Sequence, residues 1–354
     1  MSPVTSGADD TGLDGFAKSL DLVDRVRPFA NQSWSPTTEA PPTLHLEDVS
    51  AIPFLAEIPG VEEYQHRARV RADSRDLYAT VTPPDRDYDT YCLEKLDIGQ
   101  PEWINAHTRH DPLAVAKACL GDRPFARLVD VVRAAGCLAI HPYMSIEDVW
   151  ILAERLARES GCPVSVIGSP PPVTRIANDK ALFTALVTLV LGPEWTTETH
   201  EAKTTEALAT LLLDVGRRYS SVGLKRTRCA SAMGNLVLES SSVRNESISA
   251  LTTLVADFLT RTEWPGDEPV LVVAWEDAAS SPSTQWRIPP AGHGDPRSTG
   301  STSTFSRAHG RSLSAAGPRR CRSRSTTHCD APRARSHMRF SGWAMSGAAL
   351  STTW

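Results

Sequence analysis

The chain has 354 residues, of which 41% are hydrophobic and 22% charged, with a formal net charge of −5 at neutral pH. That length accommodates two domains and a sizeable core, and the composition is that of a soluble globular protein with no apolar run of membrane-spanning length. The charge is uneven: residues 297–354 contain ten Arg, no Lys and a single acid, Asp330, so they carry about +9 and the preceding body about −14. An acidic body argues against a general nucleic-acid surface. The N-terminus, MSPVTSGADDTGLDG, lacks the basic-then-apolar pattern of a secretory leader. Seven cysteines without a CxxC pair fit a reducing, cytoplasmic setting better than a disulfide frame or a zinc site.

Residues 1–12 are polar and are expected to be structureless. Leu13, Phe16, Leu20, Val23 and Val26 recur near helical spacing, which predicts one amphipathic helix over 13–29, followed by a Ser/Pro/Thr-rich connector over 33–42. Residues 1–39 thus form an N-terminal helix and linker. Between Leu44 and Ile167 strand and helix signals alternate. The apolar pair Leu93 and Leu96, ahead of Pro101 and Trp103, reads as a short strand and turn. Helices are read over 112–120 and 123–135, the latter with Phe125, Leu128, Val131 and Val132 on one face and Gly136 as its stop. A buried strand over 137–140, a helix over 146–160 closed by Gly161, and a strand over 163–167 complete the region. Such alternation with glycine punctuation predicts a small α/β domain, 40–168, with a mainly parallel sheet. The proline run at 170–172 reads as a stiff linker.

A different pattern begins at 173. Asn178 or Asp179 is placed to cap a helix over 181–191, which Gly192 and Pro193 end. A helix over 205–219, a hairpin over 222–240, a helix over 248–260 and a strand over 269–276 complete an α+β unit spanning 173–296. The hairpin, VGLKRTRCASAMGNLVLES, carries the most chemistry. Lys225 enters a loop of small residues, Ala230, Ser231, Ala232, Met233, Gly234 and Asn235. Small side chains let backbone N–H groups approach an anion, and the lysine adds a point charge. The alternative is an ordinary hairpin with a solvated basic face. Arg226 and Arg228 share one strand face and Lys225 takes the other. One set is available to phosphate or substrate, and a solvated edge suits at least one arginine. Lys180 stands at a helix start, where its charge opposes the helix dipole, so a purely structural role is disfavoured.

This order of elements resembles the ATP-grasp superfamily of ATP-dependent ligases, including biotin carboxylase and the amino-acid ligases, over about residues 40–294. The family's first phosphate-side lysine opens a helix after a short polar turn, as Asn178, Asp179 and Lys180 do. Its second precedes the phosphate-covering hairpin, as Lys225 does. Its adenine-side hinge follows a hydrophobic strand and contains an acid, as Trp275 and Glu276 do, although Glu276 also reads as a simple strand-end charge. The resemblance implies a small Rossmann-like pre-ATP-grasp domain followed by an incomplete ATP-grasp domain. It implies ATP and Mg2+ as cofactors, and small-molecule carboxylate and amine (or thiol) substrates joined through an acyl phosphate. The cofactor-binding residues it implies are Lys180, Lys225, Ser231, Ala232, Met233, Gly234, Asn235, Trp275 and Glu276. The family's magnesium ligands lie beyond the adenine hinge. Here that region runs into 297–354, a stretch without apolar periodicity that is expected to be a disordered basic tail.

Two origins of that stretch remain open: a genuine basic arm, or a G+C-rich gene read out of frame from about Arg297. One codon choice for 297–304, read one register along, spells Leu-Asp-Gly-Ile-Tyr-Glu-His. In the second case the metal site, and with it activity, is lost. The alternatives to a ligase are a non-catalytic ATP-binding or regulatory protein and a basic-tailed nucleic-acid-binding protein. His107 and His110 have HxxH spacing without a third ligand nearby, and His141 reads as a cleft-lining or structural histidine. Residues 281–285 read as a loop near the nucleotide, without a nameable role. No Ser-His-Asp or Cys-His nucleophile set is visible.

Overall fold

The computed structural model describes residues 10–34, 40–53, 55, 58–108, 111–229, 233–276, 280–290, 293–305 and 348–350. At the N-terminus two helices, α1 (Asp10–Ser19) and α2 (Leu22–Val26), replace the single helix read over 13–29. Asp21 separates them, with its backbone in the left-handed region at φ 50°. A 3-10 helix, Arg27–Gln32, continues directly from α2.

The next unit is a five-stranded, all-parallel sheet of β1 (Thr43–Leu46), β2 (Leu77–Thr80), β3 (Glu102–Asn105), β4 (Leu138–Pro142) and β5 (Val164–Val166). Its spatial order is β3-β2-β1-β4-β5. The connections supply a long 3-10 segment (Val61–Arg71) and the helices α3 (Arg86–Glu94), α4 (Val115–Ala118), α5 (Asp122–Ala135) and α6 (Glu147–Ser160). Leu44, Leu46, Leu138 and Ile140 of the sheet bury against Leu128 and Val132 of α5 and Leu152 and Leu156 of α6. On the opposite face one register row aligns Trp103, Tyr78, His45 and His141 across four strands. The mixed α/β architecture with a parallel sheet therefore forms. The strand read at Leu93 and Leu96 does not: Leu93 lies in the last turn of α3 and Leu96 just beyond it. Asp85 caps that helix, its carboxylate accepting from the N–H groups of Asp87 (2.8 Å) and Tyr88 (3.0 Å). A defined N-cap outweighs a four-residue apolar signal.

The proline run is also not a linker. Pro171 opens α7 (Pro171–Asn178), because a proline's fixed φ suits a first helical turn. Asp179 then caps α8 (Lys180–Leu191), accepting from Ala181 N–H at 3.0 Å and Leu182 N–H at 3.2 Å. Onward come β6 (Thr199–Ala202), α9 (Thr205–Arg218), β7 (Ser221–Arg226), β8 (Asn235–Glu239), α10 (Ser240–Arg244), α11 (Ile248–Arg261) and β9 (Val270–Trp275). The four strands make an antiparallel sheet in the order β6-β9-β7-β8. One face buries Val222, Leu224 and Val272 against Leu208 and Leu212 of α9 and Val255 and Phe258 of α11. On the other face Ala181 of α8 packs on Leu271 and Val273, while Val237 on β8 is 44% exposed.

Residues from 297 on were expected to be disordered, yet β11 (Arg297–Phe305) pairs antiparallel with β10 (Ser280–Ile288), and β12 (Ala348–Leu350) adds to β10's other edge. A ladder is made of backbone hydrogen bonds and needs no apolar face, and threonine favours extended backbone. Residues 281–285, read as a loop, are part of β10. Residues 306–347 and 351–354 lie outside those described. Among the described residues no helix is long and apolar enough to cross a membrane.

Candidate functional site

The alternation of β7 sends Val222, Leu224 and Arg226 toward the helices and Ser221, Gly223 and Lys225 toward the open face. Arg226 is 3% exposed, and its Nε donates to Glu268 Oε1 at 2.8 Å. Its Nη2 reaches the same carboxylate, and Nη1 donates to the Thr262 carbonyl. Arg228 donates to Glu268 Oε2 at 2.9 Å. One carboxylate thus pairs with both arginines; the Arg226 side chain is buried in the fold, whereas that of Arg228 is 44% exposed.

The lysine face is different. Lys225 stands opposite Asn235 on β8 and Leu271 on β9. Its Nζ lies 4.7 Å from the centre of the Trp275 ring. Burial pushes the Lys225 ammonium below the ordinary lysine value, and the charge of Lys180 adds to that effect. Lys180 ties the start of α8 to the exit of β7. Its backbone N–H donates to the Thr227 carbonyl at 3.0 Å, and its Nζ donates to the carbonyls of Cys229 (2.9 Å) and Thr227 (3.4 Å). Lys180 therefore has a structural tether, where the sequence pattern alone disfavours a purely structural role for it. Among the described residues two donors of the ammonium are used and a third remains. Among the described residues no carboxylate acts on Lys225, so the two lysines approach each other with Asp179 engaged in capping α8.

The rest of the predicted set divides. Asn235 joins the lysines through its register, and its Oδ1 is buried without a hydrogen-bond partner among the described residues, as is Thr227 Oγ1. Gly234 is buried, and a Cβ there would lie 1.9 Å from Cys229 Sγ, so only glycine lets the thiol tuck under the turn. Met233 is half-buried beside it. Ser231 and Ala232 lie outside the described residues. Trp275 is half-buried on the open face and Glu276 is exposed at the strand end. Sequence reasoning missed Gly223 and Thr227. A glycine inside a strand marks a close approach of another group, which was the available signal for Gly223. Nothing in the sequence pointed to the carbonyl of Thr227. A shallow cleft of about 440 Å³ continues the open face between α8 and β6, lined by Ala181, Thr184, Thr188, Leu189, Thr199 and Glu201.

Elsewhere, His141 packs beside His45, with ring centres 5.4 Å apart, and burial holds it neutral with a pKa lowered to about 4. Of the HxxH pair, His110 lies outside the described residues. Among the described residues no group of three or more His, Cys, Asp or Glu is placed to hold a metal ion.

No protein-family model matches the chain, and no curated protein does. Among solved structures it is similar to D-alanyl-alanine synthetase A from Vibrio cholerae, with 10% identity and a TM-score of 0.33 over 50% of each chain. It is also similar to the biotin carboxylase domain of the Hydrogenobacter thermophilus 2-oxoglutarate carboxylase, in complex with MgADP, ADP and bicarbonate (13% identity, TM-score 0.39, 69% of this chain and 46% of that one). A third is a RimK domain ATP-grasp protein from Sphaerobacter thermophilus, with 15% identity and a TM-score of 0.32 over 60% of this chain and 68% of that one. The chain spans about half the length of the first two. Their names fall in the superfamily that the sequence resembles. At such identities and TM-scores the likenesses are too distant to carry an argument about activity, which has to come from the residues themselves.

Proposed function

We propose that this chain is an ATP-dependent carboxylate–amine (or thiol) ligase of the ATP-grasp type, with 40–168 as a Rossmann-like pre-ATP-grasp domain and 173–296 as an incomplete ATP-grasp domain. The observation that carries this reading is the pair Lys180 and Lys225: two ammonium groups at an open sheet face, with Lys225 partly desolvated and, among the described residues, acted on by no carboxylate. Such a pair suits a polyphosphate, whose oxygens supply the missing negative charge. Among the described residues Thr227 Oγ1 and Asn235 Oδ1 have no partner, which leaves polar capacity beside the lysines. The loop 230–235 is positioned in sequence to cover the phosphates, and the backbone around Trp275 and Glu276 to meet the base.

In the reaction class, a substrate carboxylate takes the terminal phosphoryl group, ADP leaves, and an amine displaces phosphate from the acyl phosphate. The work of this chain's residues is to bind and orient the nucleotide, offset its charge and exclude water. The described residues do not supply a magnesium site, and no step here runs through a metal. The partners implied are a small-molecule acid and a small-molecule amine in the cytoplasm.

Nucleotide-dependent thermal stabilisation tests the reading. ATP or ADP at about 100 times its Kd stabilises a one-site protein by about 2.7 kcal/mol. Lys180→Ala and Lys225→Ala are each expected to shrink the rise in Tm, because each removes a charged contact worth about 1.5–3 kcal/mol. An undiminished rise in both variants overturns the phosphate roles. Release of ADP with paired acids and amines then separates a ligase from a protein that only binds nucleotide.

A further inference from the structure

Gly223, Trp275 and Lys225 form a three-layer stack on the open face. A Cβ on Gly223 would meet Trp275 Cε3 at 2.8 Å and Cζ3 at 3.4 Å, so the indole rests on the bare backbone of β7. Two residues along the same face, the Lys225 ammonium lies 4.7 Å from the centre of that ring. A glycine inside a strand weakens it, and here the compensation is the seat it gives the indole.

We propose that Trp275 is a positioning residue for Lys225. Seated on Gly223, its indole holds the ammonium at the open face, where donors not turned to the ring meet an incoming oxyanion while the ring contact is kept. The physical reason is the kind of partner an aromatic ring makes. A carboxylate in that place would neutralise the lysine and compete with the ligand. A ring face attracts the cation through its quadrupole but carries no net charge, so the positive potential of the site survives. The hold is in the range of about 0.5–2 kcal/mol, and because the ammonium has three donors it leaves room for a charge-assisted contact to an oxyanion. Burial lowers the pKa of Lys225 and the charge of Lys180 adds to that effect, so the second lysine repels the ammonium from the α8 side while the ring attracts it. The identity of the oxyanion rests on the nucleotide reading, whereas the stack itself does not.

The test uses full-length protein labelled with fluorotryptophan and fluorine NMR. The chain has nine tryptophans, and the signal missing from Trp275→Phe belongs to Trp275. That signal is expected to shift in Lys225→Met. In the wild type it is expected to titrate at alkaline pH below the ordinary lysine range, and in Lys225→Met to lose that titration. Gly223→Ala, which pushes the ring off its seat, is expected to move the same signal. In nucleotide binding, Trp275→Leu is expected to weaken ADP more than Trp275→Phe, which keeps a ring, by about two- to thirty-fold, the span of a lost cation–π contact.

A Trp275 signal indifferent to Lys225→Met overturns the proposal, as does a phenylalanine variant that binds ADP no better than the leucine variant. Circular dichroism of each variant checks that it folds, and the alkaline titration is read in the wild type, where folding is not at issue. If the signal follows Lys225 but ADP neither binds nor shifts it, the stack stands and the nucleotide reading fails.

Discussion

Two arginines and two lysines crowd one end of β7, and a single carboxylate separates their fates. Glu268 is buried and takes both Arg226 and Arg228, so its removal strands a guanidinium that is 3% exposed. Breaking one side of a buried pair costs about 3–5 kcal/mol, whereas replacing both partners by apolar groups is often neutral. Glu268→Ala is therefore expected to lose that much in urea unfolding, and Arg226→Met/Glu268→Leu much less. Equal losses in the two would show that the pair does not behave as a buried unit. His141 makes a second residue-scale case. Its pKa is lowered to about 4 by burial, with the charges of Arg71, His45 and Arg287 adding to it, so the folded protein holds it neutral. The unfolded chain takes up a proton near 6.5, so stability is lost as pH falls from about 6.5 to about 4 and levels off below. The linkage is on the order of 3 kcal/mol. His66 is lowered by burial as well and acts in the same direction. His141→Asn is expected to flatten the dependence of unfolding free energy on pH across that window, and an unchanged slope sinks the assignment.

At the level of elements, α8 connects stability to the site. Asp179 caps it, and the next residue, Lys180, holds the carbonyls of Thr227 and Cys229. Asp179→Ala is expected to cost about 1 kcal/mol of stability and also to reduce stabilisation by nucleotide, because the tether frays with the cap. Asp85→Ala removes a comparable cap from α3 and is expected to leave the nucleotide effect intact. Matching losses of nucleotide response in both would disconnect α8 from the site. The helices that sequence pattern located well, α5, α6, α9 and α11, have a 3.6-residue apolar period, and Gly136 and Gly161 close two of them at φ 75° and 73°. Those signals are local, and local physics is what a sequence displays. The four residues of β6 escaped because an edge strand buries little and so shows no alternation. The run at 170–172 misled because a proline linker and a proline-opened helix share a composition and are told apart only by the residues after the prolines. Lys180 and Lys225 were legible as a pair through the order of their elements. The partners of Arg226 and the seat of Trp275 were not, because they depend on which face meets which helix, a long-range outcome of register.

At the scale of the molecule, the five-stranded and four-stranded sheets have buried residues that fall into separate clusters, one around Leu152 and Leu156 and one around Leu212 and Phe258. Where two cores share few buried side chains, nothing forces them to melt together, and a single two-state treatment loses its licence. Leu152 and Leu212 are both fully buried, and truncating either to alanine opens a cavity costing about 2–5 kcal/mol. Each loss is expected to stay in its own unit. Leu152→Ala lowers one transition and Leu212→Ala the other, resolved by following Trp150 fluorescence beside the first core and Trp264 fluorescence beside the second. Ligand linkage then assigns the site: a nucleotide held by Lys180 and Lys225 raises only the transition that Leu212→Ala lowers, by RT ln(1 + [L]/Kd). If both variants move one common transition equally, the two sheets fold as one cooperative body. If nucleotide instead raises the transition that Leu152→Ala lowers, the ligand sits on the parallel sheet and the two lysines lose their assigned role.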